Sequence, residues 1–384
     1  MLISKEGMLH TRLCDILGIQ YPILLAGMGL ISAKQVASST PELTAAVSNA
    51  GGLGVLGATG AARDPDELRA LIRKIKSLTD KPFGVDLLLP SAMKDAPPMD
   101  MRVEEAKSRF IPEEHRKWAQ ELVASYNIPF SPVDYYAADF REEWSKAMIQ
   151  VVIEEKVPVF ASALGIPEWL VPLCHSAGTK VIGLSGNVRG ALRHKAAGVD
   201  IIQAQGYEAG GHTGRVGTMA LVPQVVDAVA PTPVIAAGGI ASGRSLVAAL
   251  ALGAVGVWVG TAFLFAEESG VLEIHRKQLQ EADEESTQIS RWWTGKTCRW
   301  LKNPVLEAFD KSGLRPLPLP LQFILTMDVA DSFEKAGRVD LLGNPTGQIV
   351  GMLKEIRPAK QILAEMVSEA IKTLGTLHGQ GVAE

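Results

Sequence analysis

Residues 233–261, PVIAAGGIASGRSLVAALALGAVGVWVGT, contain a complete strand–helix–strand unit. Apolar runs of strand length occupy 233–238 and 256–261, and the stretch 243–252 between them is long enough for a helix. Gly253 follows this helix, where a glycine commonly ends a helix by adopting a left-handed conformation. The segment therefore predicts a β–α–β unit, which is the building block of a parallel sheet.

The same alternation runs through most of the chain. Apolar strand-like runs occur at 21–26, 53–58, 82–89, 157–164, 180–185, 200–205, 233–238 and 256–261. Helical patterns lie between them at 41–50, 66–78, 142–155, 167–177, 188–197, 221–229 and 243–252, and Gly51, Gly178 and Gly198 follow three of these helices. Eight strands favour an α/β fold of the (β/α)8 TIM-barrel type over an open doubly wound sheet.

Two segments interrupt the regular spacing, and they set the predicted domain organisation. The stretch 90–140 is too long for an ordinary βα loop and predicts a partly helical insertion over the barrel mouth. We expect a TIM barrel over 1–266 and a smaller lid or substrate domain over 267–353. The amphipathic segment 354–384 then returns as the eighth barrel helix. Trp292, Trp293 and Trp300 are expected in the core of the smaller domain or in a subunit interface.

Composition narrows the class of protein. The chain has 384 residues, 47% of them hydrophobic and 21% charged, with a formal net charge of -4, so it can bury a large core and has no general attraction for nucleic acid. No apolar run suggests a membrane span, and the first residues lack a secretion signal. Cys14, Cys174 and Cys298 are too scattered for disulfides or a zinc site. We expect a cytoplasmic enzyme without a metal.

His212 is the leading candidate for a catalytic residue. It lies in QGYEAGGHTG at 205–214, directly after the apolar run at 199–204, and is expected on a strand-to-helix loop. Glycines around it allow a ligand to approach the backbone, and an imidazole can exchange a proton near neutral pH. The alternative is a loop histidine that caps the next helix. In a TIM barrel this loop belongs to the face where ligands bind.

Several glycine-containing segments are candidates for a phosphate or cofactor site. AAGGI at 236–240 and VGTA at 259–262 follow the last two strands, where barrels commonly bind phosphate, although tight helix–sheet packing would also select these glycines. GLGVLG at 52–57 has the spacing of a dinucleotide-binding loop, but its glycines lie within a predicted strand, which argues against a Rossmann fold. Asp86 is a carboxylate within an apolar strand and should face the pocket or a partner.

Taken together, these segments resemble the FMN-dependent nitronate monooxygenase family, formerly called 2-nitropropane dioxygenases. The resemblance rests on LAGMG at 25–29, AAVSNAGGLGVLG at 45–57, FGVD at 83–86, QGYEAGGHTG at 205–214, AAGGI at 236–240, GTAF at 260–263 and GQIVGMLKEIR at 347–357. It covers most of the chain apart from 90–140. As a set, the motifs are specific to the flavin superfamily and less so to one reaction.

The resemblance implies an FMN site and a role for each matching residue. Gly27 and Met28 would line the flavin ring, Gln205 and Gly210 would contact the flavin, and His212 would act as the base or orient the substrate. The complete predicted cofactor set comprises Gly27, Met28, Asp86, Gln205, Gly210, Gly211, Gly238, Gly239, Trp258, Val259, Gly260 and Thr261, of which Gly239 and 258–261 would hold the phosphate. Asp86 departs from the asparagine expected at its position, so either its pKa is raised or it points elsewhere.

The implied reaction is oxidation of alkyl nitronates by O2 to a carbonyl compound and nitrite. The alternative within the superfamily is an NAD(P)H-dependent FMN reductase that acts on an enoyl-thioester or a quinone. A flavin-free nucleotide dehydrogenase would need a cysteine on a loop after a barrel strand, which none of the cysteines matches, and a flavin-binding protein without turnover is a further alternative. The expected partners are a small-molecule substrate and O2, without nucleic acid or membrane, and a homodimer is left open.

Overall fold

The computed structural model describes residues 9–29, 37–89, 101–134 and 141–380. Its main sheet has eight parallel strands in the order β1-β9-β8-β6-β5-β4-β3-β2, and a second, three-stranded sheet has the order β10-β11-β7. The strands are β1 (Ile23–Leu25), β2 (Gly54–Gly57), β3 (Phe83–Leu88), β4 (Val159–Ala163), β5 (Lys180–Ser185), β6 (Ile201–Gln205), β7 (Gly211–His212), β8 (Val234–Ala237), β9 (Gly256–Val259), β10 (Thr287–Ser290) and β11 (Cys298–Leu301).

The eight parallel strands close into a barrel between β1 and β2. Leu24 forms a parallel bridge with Leu53, which precedes β2. The Leu25 N–H donates to the Leu53 carbonyl at 2.9 Å, and the Leu53 N–H donates to the Ile23 carbonyl at 3.0 Å. The predicted TIM barrel and its eight strands are therefore confirmed.

The described residues also form α-helices, several of which cover the outside of this barrel. They are α1 (Arg12–Leu17), α2 (Pro41–Asn49), α3 (Pro65–Leu78), α4 (Val103–Phe110), α5 (Glu113–Ser125), α6 (Glu142–Glu154), α7 (Leu170–Ser176), α8 (Val188–Ala196), α9 (Thr218–Val229), α10 (Gly243–Ala251), α11 (Thr261–Leu264), α12 (Glu273–Glu281), α13 (Pro304–Ser312), α14 (Leu321–Lys335) and α15 (Ala359–Gln380), with 3-10 turns at Val339–Leu341 and Gln348–Met352. Gly51, Gly178, Gly198 and Gly253 all have positive φ, as their predicted helix-ending role requires. No helix in the described ranges is long and apolar enough to cross a bilayer.

The two ends of the chain complete the barrel. Helix α15 packs against α10 and α2, so it fills the gap between the last and the first barrel helices. The Glu369 carboxylate accepts from the Gly243 N–H at 2.7 Å and pairs with Arg244 at 3.0 Å. At the other end of the chain, Leu13 and Leu17 of α1 pack with the apolar side chains inside the barrel, and α1 thereby closes its amino-terminal end. The opposite, carboxyl-terminal end of the barrel remains open to ligands.

A second hydrophobic cluster lies apart from the barrel core and joins two distant parts of the chain. Helices α4 and α5 pack against α14, and their apolar side chains share this cluster with residues of 292–342. Trp292, Trp293 and Trp300 are buried in it. The described part of the 90–140 insertion thus shares a core with the chain after the barrel, whereas 90–100 and 135–140 lie outside the described residues.

The three-stranded sheet connects this cluster to the barrel. Strand β7 belongs to the loop between β6 and α9, and it pairs antiparallel with β11 in the register Gly211–Arg299 and His212–Cys298. Strand β11 pairs in turn with β10. The loop between β6 and α9 is therefore held in a sheet with β10 and β11, which lie about 80 residues later in the chain.

Substitution of Gly54 tests how tightly α2 packs against β2. A Cβ atom at this position would lie 1.8 Å from the carbonyl oxygen of Thr44 in α2. We expect Gly54→Ala to destabilise the protein by about 2–3 kcal/mol or to prevent its folding, because backbone must move to make room. Gly375→Ala is the matched control: this glycine lies in α15 with nothing within 4 Å of an added Cβ, so the change should stabilise by about 0.5–1 kcal/mol. Urea unfolding of both variants measures the difference, and equal effects would contradict the packing.

Candidate active site

A cavity of about 280 Å³ opens at the carboxyl-terminal end of the barrel. Its floor consists of residues at the ends of the barrel strands, and its outer wall comes from 270–275, 293–300 and 319–349. The barrel and the second hydrophobic cluster therefore both contribute to one site. This is the end of the barrel at which the sequence places the candidate residues.

The structure brings all but one of the predicted site residues to this cavity. Val259 is the exception, because its side chain packs in the core between sheet and helices, its carbonyl accepts from the Ala26 N–H at 2.8 Å, and it does not line the cavity. Trp258 lines the cavity from inside the barrel, and not from a loop at the rim. The residues that line it are Gly27, Met28, Asp86, Gln205, Gly210, Gly211, His212, Gly238, Gly239, Trp258, Gly260 and Thr261.

His212 is held in place by the second sheet. Its backbone pairs with Cys298 of β11, and its Nε2 atom lies 3.0 Å from the Thr294 hydroxyl. Removal from water, with a smaller contribution from the positive charge of Lys296, lowers the pKa of His212 to about 4. The imidazole is therefore neutral at physiological pH, which is the form that can accept a proton.

The hydrogen bonds around Thr294 indicate which nitrogen of His212 carries the proton. The Thr294 hydroxyl donates to the Lys296 carbonyl at 3.5 Å and accepts from the Lys296 N–H at 3.3 Å. With its own proton directed at that carbonyl, the hydroxyl accepts from Nε2 of His212, and we assign the lone pair to Nδ1. Nδ1 forms no hydrogen bond within the described ranges, so it is available to a ligand.

Gln205 positions the histidine loop from the end of β6. Its Nε2 donates to the His212 carbonyl, and its Oε1 accepts from Nε2 of the fully buried Gln203 at 2.9 Å. The side-chain amide is thus engaged with the protein on both sides. The sequence predicts Gln205 as a direct flavin contact, whereas the structure also gives it this role as a support for the backbone of His212.

Asp86 is a buried carboxyl group in the wall of the cavity. Its side chain is 6% exposed, and its Oδ1 atom has no hydrogen-bond partner in the part of the chain that the structure describes. Burial raises the pKa of Asp86 to about 8, so the group carries a proton at neutral pH. The sequence leaves two alternatives for Asp86, a raised pKa or an orientation away from the site. In the structure Asp86 lines the cavity, and its pKa is raised.

Glycines create the space on the cavity floor. A Cβ at Gly27 would lie 2.4 Å from Cβ of Asp86, so only glycine allows the first strand to pass this close. Gly238 and Gly239 both have positive φ, with values of 98° and 71°. The hydroxyl of Thr261 accepts from the Gly347 N–H at 3.0 Å, which leaves its proton free for a ligand. This corner could hold an anionic group of a cofactor.

Several lining residues were missed by the sequence prediction. They come from the chain after the barrel and include His275, Trp293, Thr294, Cys298, Trp300, Leu319, Phe323 and Asn344. The only local signal was the concentration of tryptophans at 292–300, which was assigned to a core or an interface. Their arrival at the cavity depends on the pairing of β11 with β7, a contact between segments far apart in sequence.

Cys298 lines the cavity, but its thiol is not a reactive group there. It lies directly opposite His212 in the β7–β11 pair and lines the cavity. Burial raises the pKa of its thiol well above the usual value, so the group stays protonated. Cys14, Cys174 and Cys298 are all free and buried.

The fold and the cavity together define a class of protein. A TIM barrel with a glycine-rich floor, a neutral histidine and a corner suited to an anion is the architecture of a barrel oxidoreductase that works with a bound flavin. The chain belongs to the nitronate monooxygenase family, whose sequence profile matches residues 10–369. The predicted family, enzyme class and flavin dependence are thereby confirmed.

Individual relatives agree with this membership. A Mycobacterium tuberculosis protein named as a monooxygenase is 38% identical over 392 residues, covering 97% of this chain and 99% of the relative. Among solved structures, a nitroalkane oxidase from Streptomyces ansochromogenes is 30% identical with a TM-score of 0.79, covering 95% of this chain and 99% of its own. FabK from Thermotoga maritima is 31% identical with a TM-score of 0.72, covering 97% and 99%.

Proposed function

We propose that the protein binds FMN in the cavity and oxidises alkyl nitronates with O2 to a carbonyl compound and nitrite. The observation that carries the proposal is His212, which is partly buried and neutral, beside a glycine-lined floor at the carboxyl end of the barrel. Family membership and the similarity to a nitroalkane oxidase support the choice of substrate class. The flavin, when bound, supplies the electron transfer between the nitronate and oxygen.

The residues of the cavity fit a flavin. Gly27 and Met28 border the floor, and the unpartnered Oδ1 of Asp86 is a polar atom that a heteroaromatic ring edge would satisfy. Because Asp86 is protonated, it can donate a hydrogen bond and does not repel an electron-rich ring. Gly239, Gly260 and the Thr261 hydroxyl would hold the phosphate. Val259 is left out of this set because its side chain lies in the core.

His212 accepts the carbon-bound proton of a neutral nitroalkane, with Nδ1 as the accepting atom. Its low pKa keeps the imidazole unprotonated, and Thr294 and Gln205 keep the ring and its backbone in position. A nitronate has already lost this proton, so its oxidation does not need His212 as a base. Residues 270–275, 293–300 and 319–349 form the outer wall of the cavity opposite the ends of the barrel strands.

Reduction by NAD(P)H is the alternative, and the barrel alone does not separate the two reactions. Within the described ranges, the residues lining the cavity include no lysine or arginine. We place the FMN phosphate in the same cavity without such a residue, so this composition does not distinguish a dinucleotide from a small nitronate. The choice of oxidation rests on family membership and on the similarity to a nitroalkane oxidase.

Steady-state oxygen consumption and nitrite release test the proposed reaction. The purified protein, containing its flavin, is mixed with ethyl nitronate in air-saturated buffer. We expect oxygen consumption accompanied by nitrite in proportion to the carbonyl product. Oxygen consumption without nitrite, or no turnover of any nitronate, would refute the proposed function. Release of the flavin by heat and its identification by chromatography tests FMN against larger flavins.

A further inference from the structure

The outer wall of the cavity contains a group of residues that the proposed reaction does not use. We refer to Trp293, Trp300, Leu319, Phe323 and Asn344 as the indole wall; all five line the cavity. Cys298 lies opposite His212 in the β7–β11 pair, and Trp300 follows it by two residues on the same face of β11. The indole wall therefore continues directly from the surface that carries His212.

Buried hydrogen-bond donors in this wall have no acceptor. Asn344 is 5% exposed; its Oδ1 accepts from the Thr346 hydroxyl at 3.3 Å and its carbonyl accepts from the Leu301 N–H at 2.8 Å. Its Nδ2, however, has no partner in the described part of the chain, and the same holds for the Nε1 atoms of Trp293 and Trp300. A buried donor left without a partner destabilises the protein, so a ligand with acceptor oxygens relieves this penalty.

The charges around these donors limit what the ligand can be. His212 and His275 both line the cavity, and burial lowers the pKa of each, so both are neutral at physiological pH. No lysine or arginine lines the cavity within the described ranges. Neutral donors suit an anion whose single charge is spread over two oxygens. A second, localised charge would meet no lysine or arginine among the described lining residues, so its burial there is costly.

The remainder of the wall is apolar and aromatic. Leu319 and Phe323 line the cavity together with the two indole rings, whose centroids are 6.4 Å apart at an interplanar angle of 56°. Gly343 lies between these indoles: a Cβ there would be 2.9 Å from Nε1 of Trp293 and 2.9 Å from the six-membered ring of Trp300. Such a surface buries a flat or branched hydrocarbon body with favourable ring contacts.

We propose that the indole wall selects nitronates with a ring-bearing or branched apolar body, whose two oxygens accept from Asn344 and the indole N–H groups, and disfavours nitronates that carry a second anionic group. This inference rests on the proposed function, because it names the preferred substrates of the same site. It assigns Asn344, Trp293 and Trp300 as residues that determine specificity.

Two measurements on the flavin-containing protein test the inference. The first compares kcat/KM for phenylmethyl nitronate, ethyl nitronate and propionate 3-nitronate. We expect kcat/KM for phenylmethyl nitronate to be about tenfold higher than kcat/KM for ethyl nitronate. For propionate 3-nitronate we expect kcat/KM to be about tenfold lower than for ethyl nitronate. Each tenfold difference corresponds to about 1.4 kcal/mol. Turnover in the reverse order would overturn the specificity while leaving the proposed function intact.

The second measurement does not require turnover. Benzoate and succinate are titrated into the protein, and their binding is followed by the change in visible flavin absorbance. We expect benzoate to bind at least about tenfold more tightly than succinate, because its single delocalised charge and ring match the wall. Equal affinities, or tighter binding of succinate, would overturn the inference even if no nitronate were oxidised.

Three variants locate the effect in the wall. Asn344→Leu removes the amide donor and Trp300→Phe removes an indole N–H while keeping a ring; each should weaken benzoate binding by about tenfold, the loss of one hydrogen bond. Trp292→Phe is the matched control, because Trp292 is buried in the same cluster but does not line the cavity. Benzoate affinities equal to wild type in both Asn344→Leu and Trp300→Phe, with flavin content retained, would contradict the assignment.

Discussion

His212→Asn is expected to lower kcat/KM for neutral nitroalkanes by about 10²–10⁴-fold, which is the usual contribution of a positioned general base. The substitution removes the accepting nitrogen but leaves the backbone pairing of residue 212 with Cys298 in place. The matching nitronate needs no deprotonation, so its kcat/KM should fall by no more than about tenfold. Oxygen-consumption assays with each nitroalkane and its preformed nitronate measure this split.

The pH dependence of kcat/KM tests the role of His212 independently. His212 has a pKa lowered to about 4, so its unprotonated form persists at all higher pH values. In the wild type, kcat/KM for a neutral nitroalkane should therefore stay level as the pH falls from 7 towards about 5 and decrease only as the pH approaches the pKa. A fall centred near the ordinary histidine pKa, or equal losses for nitroalkane and nitronate in His212→Asn, would remove His212 from the role of base.

Asp86→Asn should change how stability depends on pH. The pKa of Asp86 is raised to about 8 in the folded protein, above its value of 3.8 in an unfolded chain. Between these two values the unfolded chain has lost the proton and the folded protein still holds it. Folding therefore becomes less favourable as the pH rises, by about 1.4 kcal/mol for each pH unit, and the loss is complete above the folded pKa.

Asparagine has no proton to lose, so the variant should not share this loss. Between pH 5 and pH 8 we expect the free energy of unfolding of Asp86→Asn to gain on the order of 4 kcal/mol relative to the wild type. Urea unfolding of the flavin-free proteins across this range measures the difference without a contribution from ligand binding. Asp227→Asn, at an exposed site in α9, serves as the control and should follow the wild type. Parallel curves for Asp86→Asn and the wild type would show that Asp86 is ionised in the folded protein.

The barrel was predictable because its signals are local. Most barrel strands lie close in sequence to the helix that follows them, and glycines such as Gly198 and Gly253 mark the helix ends. At the start of α9 the prediction missed the helix end because of a non-local contact. Helix α9 begins at Thr218, three residues before the predicted start at 221, because the Glu208 carboxylate accepts from the Thr218 N–H at 2.9 Å. That capping residue precedes the helix by a full loop.

The candidate site was predictable only on the side that the barrel strands supply. His212, Asp86 and the glycine corner follow strands, and parallel strands bring their carboxyl ends to one edge. Asn344, Trp293 and Trp300 come from the segment after the barrel, whose position depends on tertiary packing around β11. Val259 does not line the cavity, because strand alternation turns its side chain to the core, whereas the neighbouring Trp258 points inwards.

Anaerobic mixing of the flavin-containing protein with one electron donor at a time tests the central proposal most directly. Ethyl nitronate is added in one cuvette and NADH in another, and the visible flavin absorbance is followed in both. We expect the nitronate to change the absorbance rapidly and NADH to leave it unaltered. Rapid and complete bleaching by NADH, with no change on adding nitronate, would contradict the proposed oxidation and identify the protein as a reductase.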